Sequence, residues 1–456
     1  MSHATQVEHP LATPDIIRRT LDKLSDDPEA LSSCRLVARG WLSYATAHLL
    51  RDCTISLLSH DEFADFSACL DDVTFSTPSF PHLVRRLSIG SYDTDPILGS
   101  LPVLDAQTLL RLLNLLPALS HLGLFTRSII PWSGGSRFEV PDQWTPRDMV
   151  EVTIKASQAN DQLIRPVVSK ATAMLRELCR FMSLFGQVDM LHLESQCHWL
   201  NGVELKTITH LPSLKHLQAK TLILNTEACL IGLIQKSSAT RHNVTHLQCM
   251  PIDNATAEVM QSFILRCSKL VSLRFRSYHD DLAPEEIGEP TPRYDLTKSS
   301  LKLIHLETPC GSEESEESFA EFYLKPWVDT LGKLSPTIEK IVLDFYVPDS
   351  GSDMTQVLRM LVFSPDHPDS TGWSDLDNAL AQYDHLTKVE FRVSFIETEE
   401  NRDVEPWVGV IDFICKSMPI LHYAGVLRFV AADHDADDDS EAASSPGTRS
   451  LSIDDD

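Results

Sequence analysis

A short pattern of apolar positions recurs along most of the chain. An apolar residue is followed by two intervening residues, a second apolar residue, one intervening residue and a third apolar residue. Eleven copies begin at residues 84, 119, 149, 188, 214, 244, 270, 301, 338, 386 and 421. Because alternating residues of a β-strand point to the same face, each copy predicts a strand with one buried face.

Segments with helical apolar spacing separate many of these copies. In one such segment, Val259, Phe263 and Ile264 share one helical face. The order strand, helix, strand predicts parallel strands joined by right-handed crossovers, and single units that cannot bury their apolar faces are expected to stack. We predict helices over residues 105–116, 171–184, 226–236, 255–266, 317–334, 354–363, 375–383 and 406–416.

Helix-only repeats of the HEAT type are the alternative interpretation of this periodicity. The alternation within each copy, with a β-branched or aromatic residue often in third place, favours strands. The pattern resembles the strand segment of leucine-rich repeats, although the Asn that regularly follows that strand is missing. The resemblance implies an α/β fold, an irregular leucine-rich-repeat solenoid of parallel strands with crossover helices, which we expect over residues 51–430.

Residues 11–50 carry a different pattern, which predicts three short helices. Thr13 can cap the first helix, and Pro14 suits its first position, where no N–H donor is needed. The apolar positions at helical spacing include Ile17, Leu21, Leu24, Leu31, Cys34, Ala38, Trp41, Ala45 and Leu49. Because about forty residues cannot bury a self-sufficient core, we expect this head to pack against another surface.

The order of residues in this head resembles an F-box of the degenerate type found in repeat proteins of basidiomycete fungi. The resemblance is carried by Pro14–Ile17, Asp26–Leu31, Cys34–Val37 and Arg39–Trp41, with Gly40 where the family has Ser. It implies binding to a Skp-type adaptor and thereby to a cullin ubiquitin ligase. The residues that would contact the adaptor are Pro14, Ile16, Ile17, Leu21, Leu24, Leu31, Cys34, Val37 and Trp41.

The charge of the chain narrows the choice of partners. With 39 basic and 65 acidic residues the formal net charge is −26, which repels phosphate backbones and anionic lipids. We therefore expect neither nucleic acid nor membrane as a partner. Residues 431–456 are rich in Asp and Glu, and we predict that they form a disordered tail. We also predict that residues 1–10 are disordered.

Targeting and cysteine patterns favour a cytoplasmic or nuclear protein. No stretch has the eighteen or so apolar residues of a membrane helix, and the first residues lack a secretory signal pattern. Ten cysteines are scattered without CxxC spacing, which predicts small buried residues and neither disulfides nor zinc ligands.

The chain carries no recognisable catalytic motif. A glycine-rich phosphate loop, HExxH, GxSxG and the kinase signatures are all absent from the sequence, which has 17 glycines in 456 residues. Paired carboxylates such as Asp71-Asp72 and Asp280-Asp281 fall at predicted caps or loops. We therefore predict a protein that is not an enzyme and needs no cofactor, with an enzyme on a repeat scaffold as the least favoured class.

Residues between and beside the apolar positions should form one polar face across the stacked strands. This predicted face comprises Arg86, His121, Glu151, His192, Glu194, His216, Lys220, His246, Arg274, Arg276, His305, Lys340, Lys388 and Arg392. We assign partner binding to its histidines and to Lys220, Arg274, Arg276, Lys388 and Arg392. The basic members indicate an acidic or phosphorylated ligand.

His216 and His246 hold equivalent places in neighbouring copies, which raises the possibility of a metal pair. No third ligand follows at a matching spacing, so we predict no metal site.

Head and repeats together favour the substrate-recognition subunit of a Skp–cullin–F-box ubiquitin ligase. The repeat array would bind the protein to be ubiquitylated, whose identity the sequence does not reveal. The alternative is a non-catalytic interaction scaffold whose helical head caps the open end of the solenoid, because exposed terminal repeats need such a cover.

Overall fold

The computed structural model describes most of the repeat region and scattered residues of the amino-terminal stretch. The described residues are 17, 19–21, 23–24, 30, 33–34, 45, 54–57, 62–68, 70, 82, 84–90, 105–126, 140–141, 143–156, 168–195, 214–225, 228–250, 254–276, 293–309, 325–347, 372–395, 405–433 and 449–450. The chain divides into two compact units. The first comprises Met1–Trp199 with Ile208–Leu217, and the second comprises Leu200–Thr207 with Gln218–Asp456.

The first unit contains five described strands that run parallel. Each pairs with the next in chain order: β1 (Thr54–Leu57), β2 (Arg86–Ile89), β3 (His121–Thr126), β4 (Arg147–Ala156) and β5 (Phe185–Ser195). Helix α1 (Ala106–Leu115) lies between β2 and β3 along the chain, and α2 (Val168–Ser183) lies between β4 and β5. Strands β2 to β5 and both helices are the parallel strands and crossover helices that the sequence predicts, whereas β1 precedes the first copy of the apolar pattern and was not predicted.

The second unit repeats this arrangement. Its parallel strands, again paired in chain order, are β6 (Gln218–Asn225), β7 (His246–Cys249), β8 (Ser272–Arg276), β9 (Leu303–Pro309), β10 (Lys340–Val347), β11 (Lys388–Phe395) and β12 (Leu427–Asp433). A short strand, β13 (Arg449–Ser450), pairs antiparallel with β12. The described helices are α3 (Ala228–Lys236), α4 (Ser238–Asn243), α5 (Asn254–Arg266), α6 (Lys325–Leu331), α7 (Trp373–Leu380), α8 (Glu405–Ser417) and α9 (Pro419–Tyr423).

Alternate residues of the strands form the core. In β8, Leu273 and Phe275 are fully buried, whereas the residues beside them are partly exposed. The ring of Phe275 stacks on Tyr294 with centroids 4.5 Å apart. Three strands later, Phe391 of β11 stacks on Phe429 of β12, with centroids 5.4 Å apart. Aromatic pairs of this kind contribute about 1 kcal/mol each beyond the burial of their area, so the pattern that predicts strands also supplies the packing between neighbouring repeats.

The predicted α/β architecture with parallel strands is confirmed, and the helix-only alternative is wrong. Nine of the eleven copies of the apolar pattern coincide with described strands. Seven of the eight predicted helical ranges overlap described helices, and the eighth, 354–363, lies outside the described residues. Helix α1 starts where the sequence predicts, because the Asp105 side chain accepts a hydrogen bond from the Thr108 N–H at 2.7 Å.

The copy that begins at residue 214 is displaced from its strand. Leu217 N–H donates to the Leu214 carbonyl at 3.3 Å, so these two leucines belong to a turn. The strand that follows places Leu222 opposite Leu247 and Leu224 opposite Cys249. Buried leucines at a spacing of three fit a turn as well as a strand, which is why the local pattern selected the wrong residues.

The copy that begins at residue 421 is displaced as well. Leu421 lies in α9, and β12 begins only at Leu427, which neighbours Val389 of β11. Gly425 stands between them with φ of +68°, a left-handed conformation that ends the helical turn and favours glycine. The turn therefore shifts the strand three residues beyond the predicted position.

The head and the tail are described only in part. Ile17, Leu21 and Ala45 form a buried cluster, with Leu24 and Cys34 packed against it. Pro14, Ile16, Leu31, Val37 and Trp41 lie outside the described residues, so the predicted three-helix head stays a prediction. At the other end, β12 continues to Asp433 and β13 contributes Arg449–Ser450, both inside the range predicted as a tail. Within the described residues, no helix has the length and apolar character to span a membrane.

Candidate protein-interaction site

The parallel register of the second unit aligns polar side chains in rows. Arg274 of β8 lies beside His305 of β9, and two residues further along the strands Arg276 lies beside Glu307. On the next two strands Lys340 pairs with Lys388, and two residues later Val342 pairs with Glu390. We use the name charged face for Arg274, Arg276, His305, Glu307, Lys340, Asp344, Lys388, Glu390 and Arg392.

Two arginines converge on one buried carboxylate in this face. Arg274 donates to Glu307 Oε2 through Nε at 3.1 Å and through Nη2 at 2.9 Å. Arg276 Nε lies 3.1 Å from each oxygen of the same carboxylate. Glu307 is only 6% exposed, so its charge requires such partners. The two guanidinium groups leave one positive charge in excess at this point.

A buried histidine and a buried aspartate form the next contact. His305 Nε2 lies 3.2 Å from Asp344 Oδ2, and both side chains are buried. Burial lowers the pKa of His305, and the charges of Arg274 and Arg392 lower it further, against the opposing effect of Asp344. The ring is therefore neutral near pH 7, and its Nε2–H donates to the Asp344 carboxylate.

Three cations surround the third buried carboxylate, Glu390. Lys340 Nζ lies 3.3 Å from Oε2, while Lys388 contacts the same oxygen and Arg392 contacts Oε1. Burial alone would raise the pKa of this carboxyl group. The hydrogen bonds and charges of Lys388, Arg392 and Lys340 outweigh burial and lower the pKa to about 2. Glu390 is thus an anion at neutral pH, and the three cations around it leave two positive charges in excess.

These acids correct the sequence-based picture of the face. The predicted polar face, whose basic members indicated an acidic or phosphorylated ligand, included Arg274 and Arg276 but omitted Glu307, which binds both. Asp344 and Glu390 were missed in the same way. The signal was present, since Glu390 stands between the buried Val389 and Phe391 of its copy. The sequence therefore shows that Glu390 lies on the polar face, but it does not show which residues of neighbouring strands pair with it.

A smaller polar face lies on the first unit. Lys155 Nζ lies 3.2 Å and His192 Nε2 lies 3.3 Å from Glu194 Oε2, and the register places Lys155 directly beside Glu194. Phe125 covers Gly123, where a Cβ atom would meet the aromatic ring at 2.5 Å. A larger residue at position 123 would therefore require the Phe125 ring to shift.

Two histidines of the predicted face share a local geometry. His121 Nδ1 lies 2.9 Å from the Ser120 hydroxyl, and His246 Nδ1 lies 2.8 Å from the Thr245 hydroxyl. Each hydroxyl also donates to a backbone carbonyl. Ser120 Oγ lies 3.4 Å from the carbonyl oxygen of Arg85, and Thr245 Oγ1 lies 3.3 Å from that of Lys220. The hydroxyl groups therefore orient these rings at the amino-terminal ends of β3 and β7.

His216 and Lys220 do not lie where the sequence placed them. His216 is an exposed turn residue ahead of β6, and the register pairs Thr221 with His246. The equivalence of His216 and His246 is therefore wrong, and the metal pair that depended on it is wrong with it. Lys220 is exposed on β6, but Thr221 and Ile223 hold the positions that continue the rows of β7.

Comparison with known proteins leaves the family open. No protein-family model matches the chain, and the search of curated proteins gives no match. The charged face and the pattern of the head are therefore the features from which a function can be inferred.

Proposed function

We propose that this protein is a non-catalytic recognition subunit. Its sheet faces bind a protein partner, and its F-box-like head joins that partner to a Skp-type adaptor and a cullin ubiquitin ligase. The parallel strands with crossover helices are consistent with an irregular leucine-rich-repeat solenoid, which is the architecture that the sequence resemblance implies.

The charged face is the observation that carries the binding part of the proposal. Every titratable side chain in it takes part in an ion pair or a hydrogen bond with another member. Such mutual contacts hold the side chains in place on rigid strands before a partner arrives, which lowers the entropic cost of binding. A nucleophile with an adjacent base would indicate catalysis, and the groups of this face form no such pair.

The adaptor part of the proposal depends on the head. Its support is the ordered F-box-like pattern together with the cluster of Ile17, Leu21 and Ala45, which are apolar positions of the predicted first and third helices. Contact between these residues is what a small bundle of those helices would require. Attachment to a ligase would then follow from the adaptor, because the chain itself supplies recognition only.

A scaffold with a helical cap is the second candidate, and one observation favours it. Ile17 is 3% exposed and Leu21 is fully buried in the chain alone. Side chains that are already buried within the chain offer little apolar area to an adaptor. In that case the head stabilises the end of the array and binds nothing further.

Co-purification of a Skp-type adaptor with the full chain tests the proposal. We expect capture by the native protein and a loss of about tenfold or more with Ile16→Asp, because a charge in an apolar interface is strongly unfavourable. The buried Ile17 is unsuitable as the test residue, because an aspartate there would disrupt the cluster itself.

The matched control is Arg19→Ala, since Arg19 is exposed in the same stretch and should tolerate the change. Both variants are first compared with the native protein by circular dichroism and thermal unfolding. If the folded native chain does not retain the adaptor, the ligase proposal is wrong and the scaffold function remains.

A further inference from the structure

We propose that the end of the charged face formed by Lys340, Lys388 and Arg392 around Glu390 is an anion-binding site for a carboxylate-rich segment of a partner protein. The proposal rests on the proposed function in one respect, namely that the ligand is a protein. It identifies which part of the face makes the contact and the chemistry that it recognises.

The two lysines are placed against each other by the sheet. Lys340 and Lys388 are direct partners in the parallel register of β10 and β11. Neighbouring strands lie about 4.8 Å apart, so two ammonium groups that start from such positions repel each other. Both reach Glu390, which offsets part of this repulsion. A second anion above them would offset the remainder.

The charge of the whole face leaves room for that anion. Its cations are Arg274, Arg276, Lys340, Lys388 and Arg392, and its anions are Glu307, Asp344 and Glu390, so five minus three gives an excess of two positive charges with His305 neutral. The chain as a whole carries −26. A local positive excess in such a chain attracts an anion to one place and repels it elsewhere.

Exposure shows which cations an incoming ligand meets. The side chains of Lys340 and Lys388 are 30% and 39% exposed, whereas the Glu390 side chain is 3% exposed. The ammonium groups therefore form the rim, and the carboxylate lies beneath them. Arg274 and Arg276 are less exposed, at 21% and 22%, and both already bind Glu307. The lysine end is accordingly the better acceptor.

The local positive charge and the negative net charge of the whole chain favour a peptide with carboxylates as the ligand. Two positive charges match two carboxylates or one phosphate, whereas a nucleic acid would bring its long phosphate backbone against a chain of net −26. Lysine ammonium groups bind either anion as point charges. We commit to glutamate and aspartate side chains, and a phosphorylated side chain is the competing source that the experiment separates.

The test measures fluorescence anisotropy of labelled peptides with the full chain. The probes are a short peptide rich in Asp and Glu, one in which a single phosphoserine is the only anionic side chain, and one with Asn and Gln in place of the acids. We expect the carboxylate peptide to bind and the amide peptide not to bind. Lys340→Gln and Lys388→Gln should each weaken binding about fivefold, and added salt should weaken it further.

Each single substitution leaves Glu390 with two cations, so the fold should persist, which thermal unfolding verifies. Lys302→Gln is the matched control, because Lys302 is 52% exposed and pairs with Glu339 outside the charged face. Binding that is equal in all three variants would overturn the proposal. Preference for the phosphoserine peptide would assign the site to phosphate in place of carboxylates.

One further variant separates a partner from the acidic tail of the chain itself. If Asp435, Asp437, Asp438 and Asp439 are all replaced by Asn in the full chain, the affinity for the peptide should stay the same. A marked increase would identify the tail as the occupant and contradict the assignment to a partner. Capture of the Skp-type adaptor, measured separately, distinguishes failure of this site from failure of the proposed ligase function.

Discussion

At the scale of single residues, three buried acids determine the character of the charged face. Glu307, Asp344 and Glu390 are each at most 6% exposed, yet none lies on the apolar side of its strand. Buried carboxylates are unfavourable unless they are paired, and each of these has a basic or histidine partner on the same or a neighbouring strand. The face is therefore a set of linked ion pairs, and removal of one of its three buried acids should affect folding as well as binding.

Glu307→Gln should lower the free energy of unfolding by about 2 kcal/mol, because it leaves two partly buried guanidinium groups without their counter-charge. Chemical denaturation followed by circular dichroism measures this. The matched control is Glu339→Gln, which breaks the Lys302–Glu339 pair, 52% and 50% exposed, and should change stability by less than about 0.5 kcal/mol. Equal changes in the free energy of unfolding for the two substitutions would show that the buried ion pairs stabilise the fold no more than the exposed pair does.

The same residues predict a loss of stability in acid, in two separable ranges. The folded-state pKa of His305 lies below its ordinary value of 6.5, so the unfolded chain binds the proton more readily, and stability falls as the pH drops below 6.5. The pKa of Glu390 is lowered from 4.5 to about 2, so its contribution is complete above pH 4.5 and is lost as the pH falls toward 2. The second loss amounts to about 3 kcal/mol.

Unfolding free energies measured at several pH values test this assignment. His305→Gln keeps a donor for Asp344 but cannot titrate. The loss of stability below pH 6.5 should therefore become smaller in this variant, while the loss below pH 4.5 should remain. Glu390→Gln should do the reverse. An unchanged upper range in His305→Gln would show that another group titrates there.

At the scale of elements, helices receive caps from other helices. Glu177 of α2 accepts the Ala106 N–H at the start of α1 at 2.7 Å. Asp377 of α7 accepts the N–H groups of Ile420 and Leu421 in α9 at 2.9 and 3.0 Å. Both carboxylates are nearly fully buried, and the amino-terminal end of a helix favours a negative charge. These contacts join helices that are far apart in sequence and fix their spacing.

Asp377→Ala should lower the free energy of unfolding by about 2 kcal/mol, because it leaves two backbone donors of a five-residue helix without their acceptor. It should also speed hydrogen exchange at the amides of Ile420 and Leu421. Asp375→Ala on the exposed side of α7 is the control and should change little. Unchanged exchange at those two amides in Asp377→Ala would contradict the capping role.

At the scale of the whole molecule, charge is distributed unevenly. The chain carries −26, while the charged face carries an excess of two positive charges. We expect long-range repulsion from a chain of this net charge to disfavour polyanions, and the positive excess at one face to favour short anionic segments that can approach it closely. This contrast is the physical basis for expecting protein partners and for expecting neither nucleic acid nor membrane.

The sequence predicted most of the architecture because the strands follow a local pattern. Apolar residues at a spacing of two mark a buried strand face wherever they occur, and nine copies were placed correctly. The two displaced copies failed where Leu217 and Leu421 satisfied the same pattern from a turn and a helix. Local spacing cannot separate these cases, because apolar residues three apart fit a turn or a helix as well as a strand.

The sequence by itself determined the alternation of strands and helices, the buried faces of most strands and the polar character of the opposite face. Only the tertiary structure decided which polar residues meet. Arg274 and Glu307 are 33 residues apart, and His305 and Asp344 are 39 apart, so their pairing depends on the register of neighbouring strands. That register is fixed by backbone hydrogen bonds and by core packing across the sheet. The register joins basic members of the predicted polar face to Glu307, Asp344 and Glu390 in a linked set of ion pairs with an excess of two positive charges.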